Sequence, residues 1–343
     1  MPYVRARAPL RISFGGGGTD VSPYAEDPGG CVLNATISRY AHALLEVRGK
    51  GDPMVFHSDD LDMQAHYAPS DRLEPDGRLD LLTATARRWL HSRDNGLQLS
   101  VRTDAPPGSG LGASSTIVVA TVQAFADYAG RQLDPYELAD SAYHIEREDL
   151  GISGGKQDQY AAAFGGFNFI EFAKGETVVT PLRIRAETRY ELQSRLVMCH
   201  AGRTAEGAQI IADQKRRVAD KDATTLAAMD SLKTTCLELK RHLLRGDVEA
   251  FGGCLNRAFE EKKRMSTMIT TDRTQRIYQK AMEAGALGGK ISGAGGGGFL
   301  FFITRPSTHG TVRRALADAG CEPIETTFEP TGAISWKSMD WPA

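Results

Sequence analysis

A glycine- and serine-rich loop between residues 106 and 115 has the composition of an anion-binding site. It reads PPGSGLGASS and follows an alternating segment, Leu97, Leu99 and Val101, which predicts a half-buried strand. A helical apolar pattern begins directly after the loop and covers residues 114–129. Because free N–H groups and the dipole at a helix start attract anions, this arrangement predicts a phosphate cradle, or else a plain N-capped helix after a turn. No Gly-Lys-Ser/Thr ending follows, so the loop is not a P-loop.

Two other glycine clusters have the same low side-chain volume. Residues 15–18 are four glycines followed by Thr19 and Asp20, whose side chains can bind sugar hydroxyls; a capping role for Asp20 is the alternative. Residues 293–298 read GAGGGG and precede an apolar run that predicts a strand over residues 299–304. Such segments suit loops whose backbone passes close to a ligand or to another loop. A disordered flap is the alternative for the last cluster, and the strand directly behind it argues against that.

Glu146, Lys156 and Asp158 supply the remaining groups that phosphoryl transfer needs. That chemistry requires Mg²⁺, a carboxylate that orients or deprotonates the attacking hydroxyl, and cations that offset the charge of the γ-phosphate. A solvated position on a helix is the alternative for Glu146, because charged residues flank it.

The elements that must position these residues form a mixed first half. Residues 30–37 and 41–47 predict two strands joined at 38–40, residues 49–77 predict irregular structure, and residues 166–172 and 177–183 predict a hairpin. Asp134, Pro135 and Glu137 predict a capping box that opens a helix ending near residue 149.

The second half is predicted to be mostly helical. Helices are expected over residues 205–219, 223–245, 247–264, 272–284 and 306–319, and residues 325–336 resemble a strand. Asp222, Asp247 and Asp272 are the expected N-caps. The change from mixed to helical structure predicts a domain boundary near residues 185–195.

Composition limits the partners of this 343-residue chain. The formal net charge is −2, which argues against nucleic acid and anionic membranes as ligands. Five widely spaced cysteines without a CxxC pair argue against a zinc ribbon or a disulfide framework. The sequence shows no signal peptide and no membrane-length apolar stretch, so a cytoplasmic location is expected. A monomer and a homodimer both stay open.

The three glycine motifs, in this order, resemble those of the GHMP kinase superfamily, which includes galactokinases, homoserine kinases and mevalonate kinases. They lie at residues 8–20, 106–115 and 290–298. The resemblance implies an α+β, two-domain fold: an N-terminal domain like domain 2 of ribosomal protein S5 over residues 1–188, and a ferredoxin-like C-terminal domain over residues 189–343.

The resemblance also implies roles for individual residues. Asp158 would be the catalytic aspartate, aided by Lys156, and Ser114 and Glu146 would bind Mg²⁺. The sugar would contact Arg11, Gly17, Gly18, Thr19, Asp20 and Asp158. A phosphate on the sugar would meet Arg203, Lys215 or Lys156. ATP would lie on Pro107, Gly108, Ser109, Gly110, Leu111, Gly112, Ala113, Ser114, Ser115, Gly295 and Gly296.

Departures from the family pattern narrow the branch. Galactokinases carry Glu-His where this chain has Gly17 and Gly18. The first motif is most similar to that of the branch that phosphorylates the anomeric hydroxyl of D-glycero-D-manno-heptose 7-phosphate, a step toward nucleotide-activated heptose for surface polysaccharide. Kinases of L-fucose and non-catalytic sugar sensors of the same superfamily are the alternatives.

Overall fold

Two β-sheets form the framework of the molecule. The computed structural model describes residues 2–90, 95–202 and 207–338. The strands in these residues are β1 Tyr3–Gly15, β2 Gly30–Lys50, β3 Met54–Ser58, β4 Met63–Tyr67, β5 Asn95–Thr103, β6 Phe167–Ala173, β7 Glu176–Pro181, β8 Leu196–His200, β9 Ala286–Ile291, β10 Phe299–Thr304, β11 Pro323–Ile324 and β12 Ile334–Lys337. The first sheet has the order β12-β1-β2-β5-β3-β4; β6 also pairs with β2, and β7 pairs with β6. The second sheet has the order β11-β8-β10-β9.

Strand β2 is continuous, so the predicted connection at residues 38–40 is wrong. Its partner β1 shifts register between Pro9 and Arg11, and residues 37–39 of β2 form the resulting irregularity. Proline has no N–H to donate to the ladder, which favours a break there. The residues of β2 at the break bond instead to the C-terminal segment: the Ser38 N–H donates to the Thr327 carbonyl, and Ile37 is bridged to Phe328. Most of the predicted strand over 325–336 is therefore an irregular segment that packs on β2, and only its end, in β12, is a regular strand.

The helices predicted from the sequence agree with helices of the structure over most of their lengths. They are α1 Asp80–Trp89, α2 Ala113–Tyr128, α3 Pro135–His144, α4 Gln157–Phe164, α5 Ala186–Arg195, α6 Gly207–Ala219, α7 Ala223–Arg245, α8 Val248–Met265, α9 Asp272–Glu283 and α10 His309–Asp318. Helix α5 and strands β1, β8 and β9 were not predicted, and β3 and β4 lie in the segment that was predicted to be irregular. The helix that opens at Pro135 continues past His144 as a π-helical turn over Ile145–Asp149.

Three of the four predicted N-caps are confirmed. Asp134 forms the capping box, and Asp222 and Asp247 accept backbone N–H groups at their helix starts. Asp272 is wrong as a cap, because Thr271 fills that position in a capping box with Thr274. A threonine hydroxyl one residue earlier satisfies the same orphan N–H.

The core is shared between the two sheets. Phe14, at the end of β1, packs against Phe167 of the first sheet, Phe251 of α8 and Phe301 of the second sheet, with ring centroids 5.2–6.2 Å apart. These contacts anchor the strand that leads into the first glycine cluster. Strand β12 brings the end of the described chain back beside β1, and the division at 188/189 stays a prediction. No helix of the described residues is long and apolar enough to span a membrane.

Candidate active site

The second and third glycine motifs touch through their backbones. The Phe299 N–H donates to the Ser109 carbonyl at 2.8 Å. A side chain at Gly110 would overlap the Ser292 carbonyl, and one at Gly293 would lie 2.7 Å from the Gly110 Cα. Only glycine permits this approach, which explains why positions 110 and 293 lack side chains.

The start of α2 has the features of a phosphate cradle. Gly112 precedes the helix at φ +79° without a side-chain cap, so the N–H groups of the first turn face the loop. A Cβ at Gly112 would lie 3.1 Å from the Asp158 Cγ, which places the catalytic candidate directly beside the cradle. Free N–H groups and the helix dipole fit the phosphates of ATP.

Arg11 connects three segments of the site. Its Nε donates to the Asp158 Oδ1 at 2.7 Å, and its Nη2 lies 2.5 Å from the same oxygen. Its Nη1 donates to the Gly110 carbonyl at 2.7 Å and to the Ser292 Oγ at 3.3 Å. Arg11 is only 3% exposed, so this is a buried, charge-assisted arrangement. The guanidinium fixes one oxygen of Asp158 and leaves Oδ2 toward the cradle.

The π-helical turn after α3 presents a buried carboxylate. Glu146 is 2% exposed, and its two oxygens accept from Ser115 Oγ at 3.0 Å and from Gln159 Nε2. Burial raises the pKa of Glu146; the Arg147 guanidinium, 3.7 Å away, opposes the shift. Ser115 is therefore the serine that contacts Glu146, whereas Ser114, the predicted metal ligand, lies exposed at the helix start.

This oxygen donor set fits Mg²⁺. Magnesium binds through one or two carboxylates together with substrate phosphates, and does not require an all-protein cage. Among the described residues, no group of three or more His, Cys, Asp or Glu side chains could hold a metal ion, and Glu146 offers one carboxylate beside the phosphate cradle.

Asp158 also lines a small cavity of about 70 Å³. Asp20, from the first glycine cluster, accepts the Gly18 N–H at 3.0 Å and the Gln157 N–H at 3.2 Å. Ser13 Oγ and Gln157 Oε1 are buried there without a hydrogen-bond partner among the described residues. Unpartnered polar atoms in a cavity are suited to a polyhydroxylated ligand. Ser13 and Gln157 were missed in the sequence, although each lies within two residues of a predicted site residue.

Thr19 is a correction to the predicted sugar contacts. Its side chain is fully buried, and its hydroxyl donates to the Gly16 and Cys31 carbonyls while accepting the Cys31 N–H. It therefore holds the loop in shape and does not line the cavity. Gly17 and Gly18 do line it.

The lysines around the Asp158 cavity are not all the ones that the sequence predicted. Lys156 places its ammonium 5.2 Å from the centre of the Tyr143 ring and is not among the residues that line the Asp158 cavity. Lys262 of α8, absent from the sequence prediction, lines that cavity. Lys215 is half-buried next to the cavity residue Gln214, and Arg203 lies outside the described residues.

Two family models match the chain. Residues 80–166 match the GHMP kinases N terminal domain, and residues 239–321 match the GHMP kinases C terminal model. A D-glycero-alpha-D-manno-heptose 7-phosphate kinase of Campylobacter jejuni is 39% identical over 98% of this chain and all of its own length.

A crystal structure of a D-glycero-D-manno-heptose 1-phosphate kinase from Bacteroides thetaiotaomicron superimposes with a TM-score of 0.83 at 35% identity, covering 98% of this chain and all of that one. An L-fucokinase/L-fucose-1-P guanylyltransferase of Bacteroides fragilis is 24% identical over 96% of this chain, which spans 38% of that protein. These matches confirm the predicted α+β, two-domain fold.

Proposed function

The chain belongs to the GHMP kinase family, and we propose that it transfers the γ-phosphoryl group of ATP to the anomeric hydroxyl of D-glycero-D-manno-heptose 7-phosphate. The observation that carries the proposal is the position of Asp158. Its carboxylate lies between the glycine cradle at the start of α2 and the polar cavity around Asp20, with Arg11 fixing one of its oxygens.

The geometry supports a positioning mechanism. The ATP phosphates bind the free N–H groups within residues 108–115. Asp158 Oδ2 accepts the proton of the sugar hydroxyl as the hydroxyl oxygen attacks the γ-phosphorus. A bond forms between the anomeric oxygen and phosphorus, and the bond between phosphorus and the leaving ADP oxygen breaks. Glu146, with Ser115 or Ser114, would hold Mg²⁺, which neutralises charge on the phosphates when bound. Lys156 as a neutralising cation stays a prediction.

The sugar would be held by the polar atoms of the cavity. Asp20 accepts hydrogen bonds from sugar hydroxyls, and the unpartnered Ser13 Oγ and Gln157 Oε1 bind further hydroxyls. Gly17 and Gly18 line the cavity and place no side chain in it. Lys215, one residue from Gln214 in the cavity wall, is the proposed contact for the phosphate of the sugar.

The relatives support heptose phosphate as the substrate class. The Campylobacter and Bacteroides thetaiotaomicron proteins both carry heptose phosphate in their names, although one names the 7-phosphate and the other the 1-phosphate. We place the accepting hydroxyl at C1. The reaction would take place in the cytoplasm. Its product would be an intermediate toward nucleotide-activated heptose, which is used for surface polysaccharide.

A coupled assay of ADP release tests the proposal. The panel contains heptose 7-phosphate, heptose 1-phosphate, galactose and L-fucose, with the product identified by ³¹P NMR. We expect heptose 7-phosphate to have the highest kcat/KM and to give the 1,7-bisphosphate. Faster turnover of L-fucose would move the protein to the fucokinase branch. Sugar binding without any ADP release would support a sugar sensor.

A further inference from the structure

A buried lysine reaches the active-site cavity from the second half of the chain. Lys262 lies in the last turn of α8, is 4% exposed, and donates from Nζ to the Gly293 carbonyl of the third glycine motif. It lines the same cavity as Asp20 and Asp158. No sequence motif marks it, because it lies in an ordinary charged helix end.

The charge of Lys262 is not matched by a close protein anion. Within the described residues, no carboxylate lies within the 4.0 Å ion-pair distance of its Nζ, and Arg11 of β1 and Lys290 of β9 add positive charge nearby. Burial, followed by the Arg11 charge, lowers the pKa of Lys262 to about 8, while Asp20 and Asp158 oppose the shift. Burying an ammonium without a close counter-charge is unfavourable. An ammonium also has three donors, and the Gly293 carbonyl takes one.

The position of Lys262 indicates which anion its ammonium would bind. The Gly293 backbone is packed against Gly110 of the phosphate cradle, and Asp158, which would orient the acceptor hydroxyl, is beside Gly112 of the same cradle. The ammonium is thus bound to a backbone segment that contacts the cradle, and it lines the same cavity as Asp158. We infer that Lys262 is a catalytic residue whose cation stabilises the phosphoryl group in transit. The inference rests on the proposed kinase function and gives Lys262 the role first assigned to Lys156.

Replacement of Lys262 by methionine removes the cation and keeps most of the apolar stem. We expect Lys262→Met to lower kcat by about 10²–10³-fold, the range for one preorganised electrostatic group, with smaller changes in both KM values. Lys263→Met is the matched control, because Lys263 on the same helix lies 2.6 Å from Glu260 and outside the cavity. Its kcat should equal that of the unmodified protein, and melting temperatures should be measured for both variants.

A pH profile separates charge from packing. The lowered pKa means that Lys262 loses its proton as the pH rises through about 8, so kcat/KM of the unmodified protein should fall there. In Lys262→Arg the cation persists, so this fall should move upward by about one pH unit or more. Burial also lowers the pKa of Lys290, and a fall caused by that lysine would remain in Lys262→Arg, because the substitution leaves Lys290 in place.

Three results would overturn the inference. The first is a kcat of Lys262→Met within about threefold of the Lys263→Met control. The second is a raised KM for the sugar phosphate alone, which would make Lys262 an anchor for the substrate. The third is an alkaline fall that is absent or unmoved in Lys262→Arg, which decides the matter even if the methionine variant does not fold. Failure of the proposed function looks different, since the unmodified protein would then turn over no heptose phosphate.

Discussion

Arg11 and Asp158 should behave as one functional unit, and a double-mutant cycle measures this directly. The variants are Arg11→Met, Asp158→Asn and the combination of the two. Asp158→Asn should lower kcat by about 10²–10⁴-fold, because the amide cannot accept the hydroxyl proton. If Arg11 acts by holding the carboxylate, its removal lowers kcat in the native background but has little further effect once Asp158 is asparagine.

The structure also sets the expected loss of stability. Arg11 is 3% exposed and donates to both Asp158 and the Gly110 carbonyl, so Arg11→Met leaves two acceptors without their cation. Breaking a buried ion pair destabilises by about 3–5 kcal/mol. The Asp158 side chain is 24% exposed, which permits partial hydration and favours about 3 kcal/mol, the lower end of that range. The double variant should be less destabilised than the sum of the single ones, because it no longer buries an unpaired carboxylate.

Coupled ADP release gives kcat, and urea unfolding gives the free energy of unfolding for each variant. Arg5→Met is the control, because Arg5 lies on the same strand with an exposed side chain packed over the Tyr3 ring. If the fold losses in kcat of the two single variants multiply in the double variant, Arg11 acts independently of Asp158, and the positioning argument is wrong.

The remaining predictions concern the metal, the sugar cavity and the core. Glu146→Gln should raise the Mg²⁺ concentration needed for half-maximal activity about 10-fold or more, because the carboxylate charge is lost; an unchanged Mg²⁺ titration would exclude Glu146 as a ligand. Gly155→Ala adds a methyl group that overlaps the Asp20 carboxylate, so the sugar KM should rise while the ATP affinity measured by calorimetry stays constant. In α8, a Cβ at Gly253 would meet open space, whereas one at Gly252 would lie 2.7 Å from the Leu287 Cβ of β9. Gly253→Ala should therefore raise the free energy of unfolding by about 0.5–1 kcal/mol, and Gly252→Ala should lower it.

The family, the candidate catalytic residue and several helix starts could be predicted from short segments of the sequence. The glycine motifs have no packed-core explanation, and their order identified the family, the ATP cradle and Asp158 as the catalytic candidate. Helix starts could be predicted equally well, because Asp134, Asp222 and Asp247 accept hydrogen bonds from N–H groups in the first turns of their own helices. Such signals need no information about distant parts of the chain.

Tertiary structure decided what depends on contacts between distant segments. Thr19 looks like a ligand in sequence, yet its hydroxyl is bound to backbone atoms at residues 16 and 31. In the sequence, Lys262 is one more charged residue at a helix end. Only the packing of α8 against β9 places its side chain in the wall of the cavity that Asp158 also lines. Strand β2 reads as two strands because its backbone partners at the break lie almost 300 residues away. Burial and long-range pairing belong to no short segment, so the sequence determined the chemistry available and the fold determined which groups meet.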